Sequence, residues 1–159
     1  MPNIVLTRID NRLIHGQVAT QWSSSVGANL LLVANDEVST NKMRQGLMNM
    51  AAPSYATTRY WTLEKTIGTI HKASSKQKIF IICESPQDVL TLVEGGVPIK
   101  KVNIGNMHMS NGKRQVAQTV AVDDADVEAF KKLNDLGVVL EIQKVPNESK
   151  ENIDKILKE

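Results

Sequence analysis

Six short apolar runs recur along this chain with helix-like segments between them, and that alternation constrains the fold more than any other feature. The runs are IVLT at 4–7, LLLVA at 30–34, TRYWT at 58–62, IFIIC at 79–83, KVNI at 101–104 and VVLEI at 138–142. Continuous apolar stretches of this length mark strands covered on both faces. Between them lie helix signals. Ser39 or Thr40 can cap a helix carrying Met43, Leu47 and Met50 as one apolar stripe. Pro86 suits the first turn of a helix through Val89, Leu90 and Val93 that ends at Gly95-Gly96. Asp123 or Asp124 opens another through Val127, Phe130 and Leu133, closed by Gly137. The pattern predicts a three-layer α/β fold, a mainly parallel central sheet with helices on both faces. Gln118 to Val122 reads as a further short strand, and 148–158 as a terminal helix. No repeat or linker divides the 159 residues, which suit one domain, 1–159, able to bury its own core.

The charge balance excludes some partners. Nineteen Lys and Arg against seventeen Asp and Glu leave +2, too little to direct the chain to nucleic acid or a membrane surface. One cysteine, Cys83, forbids an internal disulfide and suits a reducing cytoplasm. The apolar run at 4–6 is too short for a signal peptide, and no stretch approaches the roughly 20 apolar residues of a spanning helix.

In an open parallel sheet, ligands bind beyond the carboxyl ends of the strands. That directs attention to the loops at 8–17, 35–39, 84–86 and 105–114. The first reads Arg8-Ile9-Asp10-Asn11-Arg12-Leu13-Ile14-His15-Gly16-Gln17. A neutral imidazole can attack phosphorus near pH 7 because its unperturbed pKa is about 6.5. The product is an anion, for which Arg12 offers a fixed guanidinium fork and the next helix offers N-terminal amides. Gly16 leaves room for phosphate at the backbone. Asp10 is suited to orienting Arg12 or to accepting a proton from the unreactive ring nitrogen. Arg8 has the plainer options of snorkelling or pairing with an acidic neighbour. A histidine beside two arginines is also what a solvated loop looks like, and these residues alone leave both readings standing.

The string RIDNRLIHGQV, with VANDEV, LVEGGV and NIGNMHMSNGK further on, resembles the mannose/fructose/sorbose family of phosphotransferase-system enzyme IIB domains over almost the whole chain. NRLIHGQV, GNMH and RYWTLEKTI are most similar to the N-acetylgalactosamine-specific members. The resemblance implies an α/β sheet with a phosphorylated histidine on the first strand-to-helix loop. By position that histidine is His15, with Arg12 and Asp10 in support. It further implies a phosphorylated IIA protein as donor, membrane subunits IIC and IID that hold the sugar, and a cytoplasmic location at the inner face of the membrane. No cofactor follows from it. The competing reading is a non-catalytic α/β module that holds a phosphorylated small ligand, or an adaptor that uses the loop only as an interface. Neither a GxGxxG nor a GxxxxGK[ST] motif supports nucleotide binding.

Asn11, Gly16, Gln17, Ser85, Asn106 and His108 are the further candidates for lining a phosphate or docking loop. For Asn106 and His108 a simple turn around Gly105 and Asn111-Gly112 weighs equally, and for Ser85 a helix cap comes first. Lys113 and Arg114 could attract phosphate, although solvated charge is the commoner meaning of such a pair. Cys83 ends an apolar strand, where a buried structural thiol is the default. Trp22, Trp61 and Tyr60 suggest packing, with Trp22 also able to anchor a partner. His71 falls on a helical surface. A metal site from His15, His108 and Cys83 has no short ligand spacing behind it.

Overall fold

The computed structural model describes residues 1–157. In chain order the elements are β1 (Asn3–Asp10), α1 (Val18–Val26), β2 (Leu30–Ala34), α2 (Lys42–Ala51), β3 (Thr57–Trp61), α3 (Leu63–Thr69), β4 (Lys78–Cys83), α4 (Pro86–Glu94), β5 (Lys101–Asn106), β6 (Arg114–Ala117), β7 (Val120–Val122), α5 (Asp124–Asp135), β8 (Val139–Ile142), β9 (Glu151–Asn152) and α6 (Asp154–Leu157). Every one of the six apolar runs is a strand. They form a parallel sheet in the order β3-β2-β4-β1-β5-β8, with β9 antiparallel at its outer edge. The three-layer, mainly parallel architecture expected from the alternation is what the chain adopts.

Two cores sandwich the sheet. On one face Ile9, Ile79, Ile81 and Ile104 meet Val89 and Leu92 of α4 and Phe130 and Leu133 of α5. On the other, Leu31, Val33, Phe80 and Ile82 meet Ala19 and Trp22 of α1 and Met48 of α2. Each fully buried Leu, Ile or Phe contributes about 1.5–3 kcal/mol, so these runs fix which elements stack. β5 and β8 differ: Val102, Ile104, Leu140 and Ile142 enter the α5-side core, while the residues alternating with them include Lys101, Asn103 and Glu141. Lys101 meets Glu141 at 3.0 Å on that polar side, and Lys150 meets it at 3.3 Å.

Topology places the site. From β1 the chain leaves toward β2 on one side, and from the neighbouring β5 it leaves toward β8 on the other. The crevice beyond their carboxyl ends is the switch point at which doubly wound sheets bind ligands.

Three local expectations are corrected. Residues 38–40 form a short 3₁₀ turn, and Asn41 caps α2, its side chain accepting from Arg44 N at 3.1 Å. Met43, Leu47 and Met50 are exposed, because α2 turns Met48 inward instead. The segment at 148–158 is not one helix: Glu151 and Asn152 pair with β8 before the short α6, and residue 158 lies outside the described residues. The strand expected near 118–122 is real as β7, hairpinned with a β6 that has no strong apolar run of its own. Ser85 and Asp123 cap α4 and α5 as their sequences suggest. Asp123 and Asp126 form a reciprocal capping box.

Candidate active site

β1 runs on through Asp10, so Arg8 and Asp10 are strand residues rather than loop residues. Arg8 lies opposite Ile82 and Asn103, and alternation puts it and Asp10 on the α1 side of the sheet. The loop that follows is tightly held. Leu13 N donates to Asp10 O at 2.9 Å, Asn11 N to Asn106 O at 3.0 Å, and Arg12 N to the Asp10 carboxylate Oδ1 at 3.0 Å. Leu13 and Ile14 insert into the α1-side core, and Leu13 does so at φ 62. A leucine in that left-handed region costs on the order of 1–3 kcal/mol, tolerated where packing over-determines it. Gly16 follows at φ +50 with open space where a Cβ would stand.

This path returns the His15 ring to the strand end, where Nε2 lies 3.0 Å from Asp10 Oδ2. Asp10 is buried, and its second neighbour is the Arg8 guanidinium at 3.7 Å. An ionised carboxylate only accepts hydrogen bonds. In the neutral ring, an Nε2–H donated to that carboxylate leaves the lone pair on Nδ1. The His15 side chain is 24% exposed, so the ring is not sealed inside the core. Arg12, three residues earlier on the same loop, is exposed. Gln17, at the start of α1, supplies no side-chain cap, and the first turn of α1 has no acidic residue, so the positive end of the helix is left for an incoming anion.

Residues 4–159 match the family of PTS system sorbose subfamily IIB components. The N-acetylgalactosamine-specific phosphotransferase enzyme IIB component 2 of Escherichia coli (strain K12) is 52% identical over 157 residues, 99% of this chain and 100% of that one. The chain belongs to the sorbose-subfamily IIB components of the phosphotransferase system. Crystal structures agree. The N-acetylgalactosamine-specific IIB component 1 from Escherichia coli superposes with a TM-score of 0.92 at 51% identity, covering 95% of this chain and 99% of that one. The IIB domain of the sorbose permease from Klebsiella pneumoniae superposes with a TM-score of 0.91 at 38% identity, covering 98% and 97%. The protein is thus a phosphotransferase of sugar uptake, and its site must handle a phosphoryl group.

Within this IIB component the other candidates divide. Asn106 ends β5 opposite Asp10 and accepts from the Asn11 amide, so it borders the site through its backbone. His108 is exposed just beyond it, and Gln17 is exposed at the head of α1. Ser85 is occupied as a cap, with Asp88 N donating to its hydroxyl at 3.3 Å. Lys113 and Arg114 are tied to α5, Lys113 to Asp126 at 2.9 Å and Arg114 to Asp124 at 3.1 Å. Cys83 is fully buried, and burial pushes its thiol well above the ordinary range, with Asp88 adding to the effect. That leaves an inert thiol. Trp22 is buried against the sheet and is not a surface anchor. Tyr60 reaches Asn49 Oδ1 at 2.6 Å through its hydroxyl, and His71 is exposed in a 3₁₀ turn.

The residue that sequence reasoning undervalued is Arg8, which is neither snorkelled nor solvated but 2% exposed. The one sequence signal was a cation embedded in a strand otherwise destined for the interior.

Proposed function

We propose that His15 is the phosphoryl acceptor of this IIB protein, with Nδ1 as the nucleophile. The observation that carries this reading is the 3.0 Å contact between His15 Nε2 and the buried Asp10 carboxylate, which leaves Nδ1 as the unprotonated nitrogen on a partly exposed ring. In the first transfer the nitrogen–phosphorus bond of a phosphohistidine on the IIA donor breaks as a bond from phosphorus to Nδ1 forms. The Nε2 proton stays shared with Asp10. In the second transfer the Nδ1–phosphorus bond breaks as a sugar hydroxyl oxygen takes the phosphoryl group, Nδ1 regains its lone pair, and the hydroxyl proton passes to solvent water. Such transfers ask the protein mainly for alignment and charge stabilisation. Arg12 and the first-turn amides of α1 supply the latter. Exposure of the ring suits a nucleophile that must meet a donor and then the membrane subunits that hold the sugar.

The names of the relatives at 51–52% identity support N-acetylgalactosamine as the sugar. Among the described residues no helix is long and apolar enough to cross a membrane, in keeping with work from the cytoplasmic side, peripheral to IIC and IID. On this reading residues 1–159 act as one phosphocarrier domain.

The test is intact mass after incubation with phosphorylated cognate IIA. One acid-labile phosphate on the parent and none on His15→Ala is the expected result. A folded parent that gains nothing from its cognate donor overturns the reading. The sugar is tested by comparing uptake of N-acetylgalactosamine and mannose in a strain lacking the gene, where loss confined to mannose would reject the assignment.

A further inference from the structure

We propose that Arg8 is a positioning residue for phosphoryl transfer, a buried guanidinium that fixes the Asp10 carboxylate and, through it, the His15 ring. The inference rests on His15 being the acceptor and adds the part that sets which ring nitrogen is free.

Arg8 is held from four directions. Its Nη1 donates to Asn103 Oδ1 on β5 and to Gln143 O at 2.9 Å, and its Nη2 donates to Lys144 O at 2.9 Å, just past β8. The Trp22 ring of α1 covers it at 5.1 Å, a cation–π distance, and Trp22 Nε1 itself donates to Lys144 O at 3.1 Å. The fourth neighbour is Asp10 Oδ2, the same oxygen that faces His15 Nε2. Gly105 completes the slot: a Cβ there would overlap the guanidinium, so the backbone of β5 is bare where the side chain passes.

Stability alone does not account for this construction. Burying a cation is expensive, and a buried ion pair replaced by packed apolar residues is often neutral or stabilising. The same face of β1 and β4 carries Leu6, Phe80 and Ile82, so an aliphatic residue at position 8 would suit its surroundings. What an aliphatic residue cannot do is present a cation to the Asp10 carboxylate, 3.7 Å away, and so keep it aimed. Burial lowers the Arg8 pKa to about 10, with Asp10 raising it, which keeps the group charged at neutral pH. A permanent cation behind the carboxylate keeps both of its oxygens as acceptors. One takes the Arg12 amide that shapes the loop, and the other takes the Nε2 proton that leaves Nδ1 free.

Two measurements test this on the intact chain. The first needs no partner: the His15 tautomer is read from long-range ¹⁵N–¹H correlations of the ring. The parent is expected to show one dominant Nε2–H tautomer, and Arg8→Met a mixture with Nδ1–H. The second is single-turnover transfer from phosphorylated cognate IIA, expected to slow about tenfold or more in Arg8→Met, the lower bound for loosening a hydrogen bond to a charged group. Arg8→Lys is expected to recover part of both effects, because it restores the charge without the planar fork. Should Arg8→Met fail to fold, Gly105→Ala decides, since the nearest atoms its methyl would meet are those of the Arg8 guanidinium, which it drives from its slot without removing the cation. A folded Arg8→Met or Gly105→Ala protein with the parent's tautomer and transfer rate overturns the proposal. A parent that accepts no phosphate overturns the acceptor role of His15 instead, and the tautomer measurement separates the two failures.

Discussion

Asp10→Asn is the sharpest single perturbation of this site because it is isosteric yet removes one acceptor. In the parent, Oδ1 accepts from Arg12 N and Oδ2 from His15 Nε2, both at 3.0 Å. An asparagine offers one oxygen and one amide nitrogen, so one of the two N–H groups must face a donor. With the amide turned toward His15, the ring presents its Nε2 lone pair and the proton moves to Nδ1, which is then no nucleophile. With the amide turned toward Arg12, the loop loses its anchor. A hydrogen bond to a charged group is worth about 1.5–3 kcal/mol, so transfer should slow about 10- to 150-fold. The fold should weaken less than when a buried ion pair is simply broken, about 3–5 kcal/mol, because Arg8 keeps Asn103, Gln143 and Lys144 as acceptors. A loss of about 1–3 kcal/mol is expected from the one unsatisfied donor. Rapid-quench transfer from radiolabelled phospho-IIA reads the rate, and urea denaturation reads the stability. Parent-like transfer in a folded Asp10→Asn protein would refute the tautomer argument.

Arg12→Ala should slow transfer by on the order of 10²-fold while shifting stability by less than about 0.5 kcal/mol, since the side chain is exposed and its proposed role is to meet charge on the phosphate; a melting midpoint that falls in step with the rate would contradict this. Asp88 is raised from its ordinary 3.8 to about 6, first by burial and then by Glu84 and Asp36. Its ionisation therefore opposes folding: its stabilising contribution is full below about pH 4 and is lost as pH rises through about 6. Asp88→Asn should gain stability relative to the parent across that window, by about 1 kcal/mol once solvent screening of this partly exposed group is allowed for, and a pH-independent difference would show the group to be unperturbed. Lys113 and Gln87 hold the Asp126 carboxylate below the usual range against the opposing effect of burial. Lys113→Ala should therefore destabilise by about 1–3 kcal/mol at neutral pH and by less as pH falls through the ordinary carboxylate range, with phosphoryl transfer unchanged. Loss of transfer in a folded Lys113→Ala protein would bring that loop into the mechanism.

Much of this protein was written locally. The apolar runs determined the strands, β2 and β4 being buried on both faces, and Ser85-Pro86 and Asp123 determined two helix starts because capping is decided within four residues. The segment from Arg8 to Gln17 likewise pointed to one strand end as the proposed site, and there the structure brings His15 Nε2 and Arg12 N to the Asp10 carboxylate. The tertiary structure decided what lies beyond such short ranges. Met43, Leu47 and Met50 repeat at helical spacing, yet the direction α2 faces depends on what the sheet presents, and it chose Met48. Lys113 and Arg114 look like free charge until α5 brings Asp126 and Asp124 to them. Arg8 is the clearest case. Its partners Asn103, Gln143 and Lys144 stand 95 to 136 residues away, and Gly105 matters only as bare backbone. No periodicity or spacing carries such information, because a buried charge is settled by whichever distant polar atoms the folded sheet delivers to it.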